Sequence, residues 1–84
     1  MRTPPPELLA VFLAAAESPS LFDAGRRAGL SQPAVSVRLK RLENLLDVPL
    51  FQTDGRRKKL TPYGRRLAEA ARQGLEDQIG RAHV

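Results

Sequence analysis

Residues 31–46 read SQPAVSVRLKRLENLL, a stretch that predicts one helix with two faces of opposite chemistry. Ser31 can cap the amides of the first turn, and Pro33 in that turn removes no helical hydrogen bond. At 3.6 residues per turn, the apolar stripe contains Val35, Leu39, Leu42 and Leu46, and the outer stripe contains Pro33, Ser36, Val37, Lys40, Arg41 and Asn44. One face therefore packs into a core, and the other is presented outward.

A second helix is predicted directly upstream of this one. Ser20, with Asp23 three residues later, resembles a capping box, and the helix it opens runs to about Ala28. We expect Leu21 and Phe22, at the entry of that helix, to pack inward. Gly29 follows where a left-handed residue would end the helix. Two helices joined by so short a turn have the spacing of a helix-turn-helix.

The flanking segments complete a mainly α-helical fold. Residues 3–17 predict an apolar core helix, and residues 50–60, with the turn pair Asp54-Gly55, predict a two-stranded hairpin, or wing. Thr61-Pro62 is a helix-start signal. We therefore predict a winged helix-turn-helix domain over residues 1–60, with a three-helix core, followed by a long linker helix over residues 61–84.

The last predicted helix carries a single apolar stripe. Its members recur every four residues and are Tyr63, Leu67, Ala71, Leu75 and Ile79. Alone, such a helix is marginal in water, and its far end is distant from the predicted core. We expect the stripe to pair with the same helix of a second copy, which makes the chain a homodimer.

Composition excludes several classes of protein. The 84 residues include no cysteine, and no signal peptide or run of about 18 apolar residues is present, so we expect a cytoplasmic domain without disulfide, thiolate metal site or membrane contact. The only histidine is His83, and the acids are dispersed. No pair of groups suited to acid–base or nucleophilic catalysis is visible, so we expect neither an enzyme nor a cofactor.

The positive charge is concentrated in one short segment. The chain has a net charge of +5, and residues 51–66 contain one acid, Asp54, beside six cations, which are Arg56, Arg57, Lys58, Lys59, Arg65 and Arg66. A charge run alone is usually a solvated loop. Next to a helix-turn-helix, it favours an edge that binds phosphates.

These features together predict a domain that binds double-stranded DNA. A helix fits the major groove, where the amide of Gln32 can pair with adenine and Ser36 can donate or accept. Val37 could meet a thymine methyl group, or it could tuck against Pro33. The cations expected on the DNA backbone are Lys40 and Arg41 on the helix and Arg56, Arg57 and Lys58 on the wing. We also place Ser31 and the helix start at Thr61 on the backbone, although Thr61 could simply be a cap.

The chain resembles the DNA-binding domain of the LysR-type transcriptional regulators. The resemblance rests on residues 20–36, SLFDAGRRAGLSQPAVS, on Leu39 and Leu42-Glu43, on residues 48–51, VPLF, and on Leu60-Thr61 with Gly64. It implies a bacterial or archaeal gene regulator, dimeric through its linker helix, that reads an inverted repeat. It also implies that DNA reading starts at Gln32, Pro33 and Ser36, and that the wing arginine is Arg56.

The sequence departs from the family pattern at several positions. Val37 stands where many members have arginine, and Phe22 stands where the family has a small hydroxyl residue. Tyr63-Gly64 resembles the molybdate-responsive regulators, whose winged domain is an alternative, and winged helices can also bind proteins. The effector-binding domain of the family is absent from these 84 residues, so we expect a domain of a larger regulator or a natural short protein.

Overall fold

The computed structural model describes residues 4–55 and 57–76. Its elements in chain order are α1 (Pro6–Glu17), α2 (Leu21–Ala28), α3 (Gln32–Leu46), β1 (Phe51–Asp54), β2 (Arg57–Leu60) and α4 (Pro62–Arg72). Helices α1, α2 and α3 pack on one another, and α4 packs against α1. The predicted mainly helical fold with a three-helix core and a small wing is confirmed.

Local capping chemistry sets the helix-turn-helix. The Ser20 hydroxyl accepts a hydrogen bond from the Asp23 amide at 3.1 Å and donates one to the Asp23 carboxylate at 2.9 Å. Gly29 has a φ of 72° and ends α2, and the Ser31 hydroxyl then caps α3 by accepting from the Ala34 amide at 3.3 Å. Only three residues separate the two helices, so the predicted short turn is confirmed.

A single hydrophobic core supports both helices of the motif. The four residues of the predicted apolar stripe of α3, namely Val35, Leu39, Leu42 and Leu46, are all buried. Phe12 from α1 is fully buried, and its ring meets that of Phe51 edge to face with centroids 5.8 Å apart. Burial of each such side chain contributes about 1.5–3 kcal/mol. The core thus fixes α3 with its polar face outward.

The wing is an antiparallel hairpin held firmly at its base. Its register runs from Phe51 opposite Leu60 to Asp54 opposite Arg57. At the base, the Thr61 amide donates to the Leu50 carbonyl at 3.0 Å, and the Thr61 hydroxyl donates to the Pro49 carbonyl at 2.9 Å. Because Leu50 is itself buried, these bonds join the wing to the core.

The last helix is shorter than predicted. Helix α4 ends at Arg72, Gly74 adopts a left-handed φ of 74°, and the Leu75 amide turns back to donate to the Ala70 carbonyl at 2.7 Å. A left-handed glycine is a common helix stop, and here it interrupts the continuous stripe expected over residues 61–84. Ile79 lies outside the described residues. None of the helices in the described part of the chain has the length and hydropathy needed to cross a bilayer.

Candidate nucleic-acid interface

The outer face of α3 is open to solvent along its length. The predicted outward residues, Pro33, Ser36, Val37, Lys40, Arg41 and Asn44, are exposed, as is Gln32 at the helix start. Val37 is 58% exposed, which disfavours the alternative that it tucks against Pro33 and the rim of the core. The chain therefore presents amide, hydroxyl, apolar and cationic groups on one surface, all anchored through a buried opposite face.

The wing lies beside this face and forms a cleft with it. The cleft is lined from α3 by Ser36, Leu39, Lys40 and Glu43 and from the wing by Phe51, Gln52, Thr53 and Lys58. Lys58 and Lys59 are both exposed, and the ammonium of Lys59 lies 3.6 Å from the Asp54 carboxylate. Arg57 occupies a position in β2, and Arg56 lies outside the described residues. The structure thus places Lys58 and Lys40 around the same cleft.

One residue that sequence reasoning missed sets the position of the wing. The Glu43 carboxylate accepts hydrogen bonds from the amides of Leu50, at 2.6 Å, and Phe51, at 3.4 Å. These bonds connect α3 directly to the first strand. The sequence showed Glu43 as a dispersed acid and as part of the Leu42-Glu43 motif of the LysR resemblance, but neither indicated what the carboxylate binds. A further signal was an isolated acid on the otherwise basic side of α3.

Two predicted backbone contacts are also caps. Ser31 is exposed at the start of α3. Thr61, in contrast, is buried, and its hydroxyl accepts from the Gly64 amide at 3.0 Å while donating to Pro49. The hydroxyl of Thr61 is therefore used twice by the fold, which favours the capping interpretation for its side chain.

The structure corrects the predicted subunit contact at two residues. Tyr63 and Leu67 are buried in the chain's own core, because the first turns of α4 pack against α1 and the wing. Burial raises the pKa of the Tyr63 hydroxyl, and the Arg66 guanidinium, 5.5 Å from the ring centroid, opposes that shift. Further along, Ala71 is half-buried and Leu75 is 39% exposed. Ala71 and Leu75 therefore remain accessible for contact with another molecule.

Phe22 is also placed differently from the prediction. The residue was expected to pack inward, but its side chain is 60% exposed. At the start of α2 only Leu21 turns to the core. The ring of Phe22 instead borders a groove that includes Gln32 and Lys58. An aromatic side chain thus lies next to the predicted DNA-reading surface.

The described residues define a winged helix-turn-helix domain with an exposed second helix and an adjacent basic wing. Residues 6–65 match the family described as bacterial regulatory helix-turn-helix protein, lysR family. The chain belongs to the LysR family of transcriptional regulators. This match favours LysR over the molybdate-responsive alternative. Within residues 4–55 and 57–76, no group of three or more His, Cys, Asp or Glu side chains could hold a metal ion.

Comparison with individual proteins agrees with the family. The chain is 48% identical over 63 residues to an uncharacterized HTH-type transcriptional regulator of Azotobacter vinelandii. The aligned residues make up 75% of this chain and 44% of that relative, so this chain covers less than half of the relative's length. Its fold matches a crystal structure of the BenM DNA-binding domain with catB site 1 DNA (TM-score 0.76, 27% identity, 93% of this chain and 83% of that one). It also matches a crystal structure of the CbnR DNA-binding domain with DNA (TM-score 0.74, 32% identity, covering 93% of this chain and 86% of that one). The chain is thus a LysR-type DNA-binding domain, and relatives of this kind are regulators rather than enzymes.

Proposed function

We propose that this chain binds double-stranded DNA sequence-selectively, with α3 in the major groove and the wing on the flanking backbone or minor groove. The observation that carries the proposal is the exposed row Gln32, Ser36 and Lys40 beside a wing that presents Lys58. In this function the chain is the DNA-reading part of a regulator that works at the nucleoid in the cytoplasm. It needs no cofactor and performs no catalysis.

The residues at the start of α3 would read base edges. Gln32 can form two hydrogen bonds with adenine, and Ser36, one turn later, can donate or accept. Pro33 and Val37 offer apolar surface, and the exposed Val37 suits a thymine methyl group. This set of side chains favours half-sites rich in A·T pairs.

The cations would hold the duplex in register. Lys40 and Arg41 flank the reading face, and the wing adds Lys58 together with Arg56 and Arg57. Contacts of this kind displace condensed counterions from the DNA. For each phosphate contacted, the slope of log affinity against log salt concentration therefore becomes more negative by about 0.9. They position the domain and contribute little to base selection.

A direct test compares Gln32→Ala with Gln73→Ala, which removes the same type of side chain from the far end of α4. Binding is measured by fluorescence anisotropy across a salt series, on a duplex selected with the wild-type chain from a random library and on its scrambled version. We expect Gln32→Ala to lower affinity for the selected duplex about tenfold or more and to leave the scrambled duplex unchanged. A flat salt response, or equal loss on both duplexes, would contradict base reading by α3.

We further propose that two copies pair through the end of α4 and read the two halves of an inverted repeat. Ala71, in the last turn of α4, and the exposed Leu75, just after the helix, support this contact. A charge at an apolar contact is costly to bury, so Leu75→Asp should give monomers in analytical ultracentrifugation. The matched control is Leu45→Asp, at another exposed leucine on α3. Dimers that survive Leu75→Asp would reject this interface.

A further inference from the structure

Phe22 is an exposed aromatic residue that the fold does not use. Phenylalanine is among the residues most often buried, yet this ring is 60% exposed at the second position of α2. Its neighbour Leu21 packs against the core, and Ala24, one turn on, is fully buried. Helix α2 is therefore anchored without the ring. The exposed ring is therefore available for an apolar contact with whatever binds at the adjacent face.

The surroundings of Phe22 identify the side of the molecule that this partner occupies. The ring lines a groove between the start of α2, the start of α3 and the wing, whose members include Pro19, Ser20, Gln32, Phe51 and Lys58. Gln32 is the proposed base-reading amide, and Lys58 is a proposed phosphate contact. The groove is thus continuous with the proposed DNA interface, and its cationic edge complements a polyanion.

The groove brings together three kinds of group that suit the three parts of a DNA strand: the amide of Gln32, the ring of Phe22 and the ammonium of Lys58. From base to phosphate, a strand presents the base edge, then the deoxyribose, then the charged oxygens. A ring bordering the same groove as Gln32 and Lys58 is placed to meet the sugar. In helix-turn-helix proteins, the first helix of the motif also crosses the backbone. We infer that Phe22 packs against a deoxyribose at the edge of the major groove and adds an apolar contact that is independent of base identity. This inference rests on the proposed DNA binding.

Such a contact has a distinctive energetic signature. It buries apolar area and releases no counterion, so it raises affinity without adding to the salt dependence. It also stabilises complexes with selected and unselected duplexes alike, because every nucleotide carries the same sugar. These two properties separate Phe22 from Gln32, whose effect depends on sequence, and from Lys58, whose effect depends on salt.

The first experiment removes the ring from the 84-residue chain. Phe22→Ala is compared with Leu45→Ala, which shortens a 50% exposed leucine of α3. Leu45 follows Ser36 by nine residues and so lies about 180° away around the helix. We expect Phe22→Ala to weaken binding about tenfold on both the selected and the scrambled duplex, with an unchanged salt slope. Leu45→Ala should bind as the wild type does.

A second variant gives a gain that impaired folding cannot mimic. Phe22→Lys places an ammonium group next to the backbone, so the log–log salt slope should steepen by about 0.9. Gln73→Lys adds the same charge just after α4, outside the groove, and should change the slope much less. An unaltered slope for Phe22→Lys would overturn the placement of residue 22 on the DNA backbone.

The outcomes separate this inference from the function on which it rests. If Gln32→Ala loses selective binding while Phe22→Ala binds normally, the sugar contact is wrong and DNA reading by α3 stands. A loss for Phe22→Ala confined to duplexes with one particular thymine, and abolished by replacing that thymine with uracil, also overturns the sugar contact in favour of a base contact. If the wild-type chain shows no salt-dependent DNA binding, the proposed function itself fails.

Discussion

The attachment of the wing to α3 depends on one carboxylate, which makes Glu43→Ala an informative perturbation. Glu43 accepts from the amides of Leu50 at 2.6 Å and Phe51 at 3.4 Å. Truncation to alanine leaves both donors without this acceptor at the point where the chain leaves the core for β1. The effect should therefore appear both in stability and in DNA affinity, because the wing carries much of the positive charge.

The geometry gives the size of the effect. A hydrogen bond to a charged group contributes about 1.5–3 kcal/mol, and the short bond to Leu50 falls in that class. The bond to Phe51 is long and adds little. Since Glu43 is partly exposed, water recovers part of the loss, and we expect the free energy of unfolding to fall by about 2 kcal/mol. For a domain of this size, each kcal/mol lowers Tm by roughly 4–8 °C.

Circular dichroism melts and urea titrations of the 84-residue chain measure this change. Glu43→Gln keeps an acceptor oxygen and loses the charge, so its destabilisation should be about half as large. Glu69→Ala is the matched control, because it removes an acid from an exposed ion pair with Arg72, and such pairs contribute about 0–1 kcal/mol. If Glu43→Ala shifts Tm no more than Glu69→Ala does, the carboxylate does not hold the wing and this reasoning is wrong.

Three further substitutions test other parts of the structure. A Cβ on Gly64 would clash with the Leu50 carbonyl oxygen, so Gly64→Ala should lower the free energy of unfolding by about 1–3 kcal/mol, although alanine is the better helix former. An unchanged midpoint of urea unfolding would refute the close approach of Gly64 to Leu50. Val37→Ala should abolish the wild-type preference for thymine over uracil in the selected duplex, and a preference that persists would remove Val37 from base reading. Burial raises the pKa of the Tyr63 hydroxyl above its value in the unfolded chain, so its contribution to stability is present at lower pH and is lost as pH rises through the folded pKa. Tm should therefore fall more steeply above about pH 10 in the wild type than in Tyr63→Phe. Parallel curves of Tm against pH would contradict this.

Most of the helix-turn-helix could be predicted because its signals are local. The Ser20 cap, the left-handed Gly29 and the Ser31 cap each act within a few residues, and they lie where the sequence placed them. The apolar period of α3 likewise predicted which face is buried. Period and caps depend only on helix geometry, so they can be interpreted without knowledge of the tertiary structure.

Most of the errors concern contacts between distant parts of the chain. An apolar stripe predicts burial but does not identify its partner, so Tyr63 and Leu67 were assigned to a second subunit although α1 and the wing cover them. The prediction that Phe22 packs inward was wrong for the same reason, because Leu21 fills the space at that edge of the core. The hydrogen bonds of Glu43 join residues brought together only by the fold. The early end of α4 has a local cause, because the four-residue apolar spacing does not show that Gly74 adopts a left-handed turn in which the Leu75 amide returns to the Ala70 carbonyl.

The attachment of the wing gives it the mechanics of a lever. The described hydrogen bonds that join it to the body, from Glu43 and Thr61, lie at one end, and the turn at Gly55 lies at the other. Four residues of strand extend about 13 Å, so a tilt of about 10° at the pivot moves the tip by about 2 Å. In the proposed complex with DNA, the tip can therefore follow duplexes of different groove width while α3 keeps its position, and a small change at the pivot is amplified at the proposed wing contact.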